Sequence, residues 1–323
     1  MKKIYITIIV VCALSIAAFF YFLPKNEDRN DIYYRRLVTY ENIEYKSIEG
    51  KALTLDIIQP TNQEYDKNPV LVYVHGGGFT EGQKSDLTLD LRRDIVDSLL
   101  DLGYTIVSVE YRLLNTSNHF DVNIVDVKDA VRYLYSVADE YNLDTDNVGI
   151  WGNGTGAYLA LTAAYSPSGL YLGDYQLRNY QIDIKYVINF SGMTEIATLY
   201  DPNTMSDTEL MEAQDTFDIY YGNEAFDIRN LTTSDLTEIS KHDPTYFVSV
   251  DTVNTLIIHG RADEVIDMSQ ADTLHDKLVE YSIQHNYYEI LAANHDLNNI
   301  PPSEESLIIG YFITFVQGQY NED

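Results

Sequence analysis

Apolar and polar positions alternate along the chain with two periods, one typical of strands and one typical of helices. Short apolar runs predict strands at Leu53–Ile58, Val70–Val74, Tyr104–Val109, Val148–Trp151, Ile184–Phe190, Thr255–His259 and Tyr287–Leu291. Apolar residues at helical spacing predict helices at Asp86–Leu102, Val122–Tyr141, Thr155–Tyr165, Met268–Tyr281 and Ser303–Val316. Most of the predicted strands are therefore followed by a predicted helix.

This order of elements predicts an α/β fold with a mostly parallel central sheet and helices on both faces, because βαβ units place their crossover helices on the sheet. A single domain over residues 45–323 has an ordinary length for that architecture. The segment 196–250 fits the alternation least, since it is polar, acidic and interrupted by Pro202, Gly222 and Pro244. It is either a cap over the functional site or a long surface excursion.

The amino terminus carries an apolar segment that is long enough to cross a membrane. Lys2 and Lys3 precede an uncharged run over residues 4–23, which ends at Pro24. We expect residues 1–24 to be an uncleaved signal-anchor or transmembrane helix, with the body of the protein extracytoplasmic. Secretion after cleavage of a signal peptide is the alternative. Residues 25–44 are polar and are predicted to form a stalk.

Composition excludes several classes of function. The chain has 50 acidic and 21 basic residues, a formal net charge of −29, so we expect no nucleic-acid partner. Its single cysteine, Cys12, lies in the apolar amino-terminal segment, which leaves no thiol chemistry or disulfide for the rest of the chain. No residue spacing indicates a metal site, and no cofactor is expected.

The run His75-Gly76-Gly77-Gly78-Phe79 directly follows a strongly apolar predicted strand. Three consecutive glycines let backbone amides approach a ligand without interference from side chains. An oxyanion hole needs amides placed in this way to stabilise the negative charge of a tetrahedral intermediate. A glycine-rich loop is often no more than a loop, but the preceding strand makes the functional interpretation more specific.

A second glycine-rich segment, Gly152-Asn153-Gly154-Thr155-Gly156, lies between a predicted strand and a predicted helix. It has the frame G-x-S-x-G of a nucleophile elbow, except that Gly154 stands where the serine belongs. Glycine adopts the strained backbone of such a turn freely, but it has no atom that can attack a carbonyl carbon.

With these motifs the chain resembles the α/β-hydrolase superfamily, in the esterase/lipase group of hormone-sensitive-lipase-like and feruloyl-esterase-like carboxylesterases. Further matching segments are Glu110-Tyr111-Arg112, Asp126-Val127-Lys128-Asp129, His259-Gly260-Arg261-Ala262-Asp263 and Asn294-His295-Asp296. The resemblance implies that Gly76, Gly77 and Thr155 supply the oxyanion-hole amides. It also implies that Asp263 is the triad acid and His295 the general base, in the chain order of this fold. His75, His259 and Arg112 have structural roles in that family.

Two interpretations of function follow. In the first, the protein is a membrane-anchored carboxylesterase-like hydrolase that is weak or inactive because it lacks the nucleophile, and its pocket binds a small-molecule ester or ester-like ligand. In the second, it is a member of an active serine carboxylesterase family, and Gly154 is a variant or engineered substitution. The retained Asp263 and His295 favour the second, because a long-inactive protein is free to lose them.

Overall fold

The computed structural model describes residues 37–62, 64–200, 202–223 and 225–320. Within these residues, eight strands form one sheet in the order β1-β2-β4-β3-β5-β6-β7-β8. The strands are β1 (Leu37–Ile48), β2 (Lys51–Pro60), β3 (Asn68–Val74), β4 (Thr105–Val109), β5 (Leu143–Asn153), β6 (Tyr186–Phe190), β7 (Asn254–Gly260) and β8 (His285–Ile290). Strands β1 and β2 pair antiparallel to their neighbours, and β3 to β8 run parallel.

Helices cover both faces of this sheet. The α-helices of the described residues are α1 (Asp90–Asp101), α2 (Val122–Ser136), α3 (Thr155–Tyr165), α4 (Asp207–Tyr221), α5 (Thr233–Ser240), α6 (Ser269–Glu280) and α7 (Pro302–Gln317). All seven residues of β3 are buried, and alternate positions enter two separate apolar clusters. Leu71 and Tyr73 pack with α1 and α7, whereas Val70, Val72 and Val74 pack with α2, α3 and α6. Burial on both faces explains the nearly continuous apolar sequence of the parallel strands.

The predicted mostly parallel sheet with helices on both faces is confirmed, and the element bounds differ in places. The predicted helix at Asp86–Leu102 is shorter, because a 3₁₀ turn over Lys84–Thr88 precedes α1. The predicted strand at Val148–Trp151 is part of the longer β5. Helix α3 has the predicted bounds.

The predicted stalk is wrong from residue 37 onward, because Leu37–Ile48 forms the edge strand β1. The sequence does not predict this strand, because seven of its twelve residues are exposed and it contains no continuous apolar run. Its buried Lys46 donates to Asp126 at 2.8 Å and to Asp129 at 2.7 Å, and both carboxylates lie on α2. These buried ion pairs fix the carboxyl-terminal end of β1 to the body of the fold.

The predicted transmembrane segment, residues 1–24, lies outside the described residues, as does the first part of the predicted stalk. Among the described residues, every helix is too short or too polar to span a membrane.

Candidate active site

The strand-to-helix turn at Gly154 has the backbone of a nucleophile elbow. Strand β5 ends at Asn153 and α3 begins at Thr155, while Gly154 itself has φ +54° and ψ −118°. Its amide donates to the Phe190 carbonyl at 2.9 Å, which fixes the turn to the neighbouring strand β6. Gly156 is required by close approach, because a Cβ there would lie 2.2 Å from the Val74 carbonyl oxygen. The turn is therefore tightly built, with glycine at the residue that would carry the nucleophile.

The structure brings His295 and Asp263 to this turn from loops that follow β8 and β7. His295 Nδ1 lies 2.9 Å from Asp263 Oδ2. On the other side of the ring, His295 Nε2 would lie 2.9 Å from a Cβ built on Gly154. The histidine thus has the orientation of a general base directed at the nucleophile position, with an acid behind it. Among the described residues, the pair of His295 and Asp263 therefore faces a glycine at this turn.

Asp263 is held as a carboxylate by several donors. Its side chain is fully buried, and its Oδ1 accepts from the amides of Val265 at 2.8 Å and Ile266 at 2.9 Å. Burial on its own would raise the pKa of Asp263, but hydrogen bonds from His259, His295 and the Ile266 amide outweigh it and hold that pKa well below its usual range. The acid therefore stays ionised and can stabilise a protonated His295.

His259 belongs to this hydrogen-bond network although it is not part of the triad. Its Nε2 lies 2.9 Å from the Ile266 carbonyl oxygen and 3.2 Å from Asp263 Oδ2. Because a carbonyl only accepts, Nε2 carries the hydrogen and points it at both oxygens. The expectation of a structural role fits this geometry, and the structure adds that His259 helps to orient the acid.

The glycine loop after β3 lies against the elbow. His75 Nδ1 donates to the Gly76 carbonyl at 2.8 Å, and the His75 ring stacks on the Tyr111 ring with centroids 4.2 Å apart. The Phe79 amide donates to Thr155 Oγ1 at 3.3 Å, which joins the loop to the start of α3. Gly76, Gly77 and Thr155 border the same cavity as Gly154 and His295, and their role as oxyanion-hole donors stays a prediction.

Two hydroxyl residues lie next to the elbow, in sequence or on the neighbouring strand. Thr155 Oγ1 accepts from the Phe79 amide of the glycine loop. Ser191, which follows β6, is completely buried at φ +48° and does not border the cavity.

The cavity in front of the elbow has a volume of about 730 Å³. Segment 196–250 contributes five residues to its wall, which are Leu199, Tyr200, Thr216, Ile219 and Tyr220. The Tyr220 ring also packs on Phe79 of the glycine loop, with centroids 5.3 Å apart. This segment therefore shapes the binding space, and whether it moves as a lid stays a prediction.

A further part of the wall comes from Tyr73, Asp86 and Arg92, none of which the sequence identified. Tyr73 lies in an apolar strand and Arg92 at the start of an amphipathic helix, where both residue types are common. Their position at the cavity follows only from the three-dimensional fold.

Fold and site together define an esterase-like α/β hydrolase of the esterase/lipase group. The chain belongs to the BD-FAE family, which it matches over residues 55–278. A Mycobacterium tuberculosis protein, LipM, whose name assigns it to the carboxylic ester hydrolases, is 24% identical over 238 residues. That match covers 73% of this chain and 51% of LipM, so the chain spans about half the length of this curated relative.

Solved structures of esterases share the fold. A truncated carbohydrate esterase from gut microbiota superimposes with a TM-score of 0.68 at 20% identity, over 87% of this chain and 96% of the esterase. The thermophilic esterase Est2 of Thermogutta terrifontis, in its butyrate-bound form, gives a TM-score of 0.65 at 15% identity, over 88% of this chain and 96% of Est2. At these identities the likeness concerns the fold alone.

Proposed function

We propose that the cavity binds a small-molecule ester or ester-like ligand and that this chain hydrolyses it weakly or not at all. The observation that carries the proposal is the geometry at Gly154. The elbow backbone is intact, the Asp263–His295 pair is formed at 2.9 Å, and the base faces the nucleophile position, but no hydroxyl is there. Oxyanion-hole amides and ligand binding alone leave a rate about 10³–10⁴ above that in water, with most of the enhancement lost.

A second candidate is the active serine carboxylesterase of this family, of which the present chain carries a serine-to-glycine substitution. The hydrogen-bonded Asp263 and His295 favour it, since a binding protein has no need for a general base. Both candidates agree that restoring serine at residue 154 should restore catalysis, and they differ only in how Gly154 arose.

The test is ester hydrolysis by the full-length protein and by Gly154→Ser, measured on short p-nitrophenyl esters. We expect a low rate for the unaltered chain and a gain of at least about 10³ in kcat for the serine variant. The gain should disappear when His295→Ala is added. Activity of the unaltered chain that depends on His295 would show that Gly154 does not disable the site.

We also propose that residues 1–24 anchor the protein in a membrane, with the hydrolase domain extracytoplasmic and without a nucleic-acid partner. The uncharged run over residues 4–23 and the net charge of −29 support this. Retention in the membrane fraction after alkaline extraction would support the anchor, and release of a mature form lacking residues 1–24 would contradict it.

A further inference from the structure

A group of polar side chains borders the cavity in addition to the triad and the glycine loop. It consists of Tyr73, Asp86, Arg92 and Asp296. The proposed function uses none of them. An inference drawn from them rests on that function, because the ligand must occupy the same cavity.

Tyr73 has a buried hydroxyl beside Arg92, whose guanidinium can donate to the phenol oxygen, but no described residue accepts from the hydroxyl itself. Its side chain is 0% exposed, and its ring packs against Trp151 with centroids 5.0 Å apart. Burial raises the pKa of Tyr73 to about 12, so the hydroxyl keeps its proton at neutral pH. A buried O–H with no acceptor is costly to the folded state unless something binds to it.

Arg92 lies in the first turn of α1, next to that hydroxyl. Its charge acts on Tyr73 directly, opposing the rise in the tyrosine pKa. Arg92 Nε is buried without a hydrogen-bond partner, and the guanidinium forms no ion pair with any carboxylate of the described residues. A guanidinium only donates hydrogen bonds, so the two side chains together present donors to the cavity.

In the described structure neither carboxylate of the group forms an ion pair with Arg92, although the charges of both act on Tyr73. Asp86 Oδ2 accepts from the Gln83 amide at 3.1 Å, which caps the 3₁₀ turn before α1. Asp296 is exposed, so water and salt screen its charge. The cavity thus keeps an arginine that forms no ion pair among the described residues and whose Nε has no hydrogen-bond partner there, in a chain with few basic residues.

We propose that Tyr73 and Arg92 bind a carboxylate carried by the ligand, so that the ligand is an ester with a free acid group, such as a half-ester of a dicarboxylic acid. The planar guanidinium matches the two oxygens of a carboxylate, and the tyrosine hydroxyl supplies a further donor. A neutral amide of the same shape can accept fewer of these hydrogen bonds and carries no charge to pair with the arginine.

Calorimetric binding to the full-length, unaltered protein tests this. The probes are the monomethyl esters of malonic, succinic, glutaric and adipic acid, each compared with the amide that replaces its free acid. The four chain lengths allow for the span between elbow and arginine. We expect at least one half-ester to bind about tenfold more tightly than its amide. The single tryptophan, Trp151, gives a second readout by fluorescence, since it contacts Tyr73.

Variants test whether Arg92 and Tyr73 cause the preference for half-esters over their amides. Arg92→Gln should abolish it, Arg92→Lys should retain part of it, and Tyr73→Phe should reduce it less than Arg92→Gln does. Arg93→Gln is the matched control, because Arg93 is the adjacent, exposed arginine and its loss changes the net charge equally. The proposal is overturned when no half-ester is preferred to its amide, or when Arg93→Gln lowers the preference as much as Arg92→Gln.

The outcome is separable from the proposed function. If the Gly154→Ser variant hydrolyses neutral p-nitrophenyl esters through His295 but half-esters are not preferred, the esterase site is supported and the carboxylate subsite is ruled out. If half-esters are preferred in a way that depends on Arg92 but the Gly154→Ser variant is inactive, the carboxylate subsite is supported and the esterase function is ruled out.

Discussion

Gly154→Ala tests the elbow without supplying a nucleophile. At φ +54° and ψ −118° a residue with a Cβ is strained by about 1–3 kcal/mol. The new Cβ would also lie 2.9 Å from His295 Nε2, so the ring must move away by roughly 0.5 Å to reach ordinary contact. That displacement acts on the hydrogen bond to Asp263. We therefore expect Gly154→Ala to lower the free energy of unfolding by about 1–3 kcal/mol, or Tm by roughly 2–10 °C.

Substitutions at two other glycines separate backbone strain from the contact with His295 as causes of the lost stability. Gly50 has φ +79°, and a Cβ on this residue would have nothing within 4 Å, so Gly50→Ala reports backbone strain alone, about 1 kcal/mol. Gly310 lies inside α7, also with open space, and Gly310→Ala should stabilise the protein by about 0.5–1 kcal/mol. Differential scanning calorimetry compares all three variants with the unaltered chain.

The contact with His295 can be isolated by a double-mutant cycle. In a His295→Ala background the ring is absent, so Gly154→Ala should cost about 0.5–1 kcal/mol less than it does alone. A Gly154→Ala variant as stable as the unaltered chain, or one whose cost is unchanged by His295→Ala, would refute the described geometry of the elbow.

Three other substitutions have defined outcomes. Hydrogen bonds depress the pKa of Asp263 in the folded state, so its contribution to stability is present above the unfolded pKa of about 3.9 and is lost as pH falls towards the folded pKa. In urea unfolding, Asp263→Asn should therefore reduce the pH dependence of the free energy of unfolding below about pH 4. The same substitution at the exposed Asp251 should leave that pH dependence unchanged. Lys46→Met removes the ammonium from two buried carboxylates that keep Arg112 and Arg132 as partners, so it should cost about 1.5–3 kcal/mol in the same assay, and a loss under about 0.5 kcal/mol would contradict the buried ion pairs. Tyr220→Ala, made in the Gly154→Ser background, should lower kcat/KM for esters about tenfold by releasing Phe79 of the glycine loop, whereas Tyr220→Phe should retain most of the activity.

The residues of the candidate site were predictable where the fold fixes their place at the end of a strand. Gly76 follows β3, Gly154 follows β5, Asp263 follows β7 and His295 follows β8. The carboxyl ends of parallel strands meet at one edge of a sheet, so residues far apart in sequence converge there. The order of the motifs along the chain was therefore enough to place them together.

Other features lack a pattern that reveals them. Strand β1 lies at the edge of the sheet with most of its residues exposed, so it has no continuous apolar run. Arg92 and Tyr73 belong to different elements, and only the packing of α1 on β3 brings them to one cavity. The position of His295 within contact distance of the missing Cβ likewise depends on atomic packing.

Strand β1 also determines how the protein would respond to force on its amino-terminal end. Residues 37–44 are mostly exposed and pair with β2, whereas Tyr45 and Lys46 are buried, and Lys46 is bound to α2. A pull applied at Leu37 would break the pairing with β2 one residue at a time and stop at the lysine. The freed residues 37–44 would form a segment about 26 Å long when extended, at about 3.3 Å per residue, while β2 to β8, the elbow and the cavity stay intact.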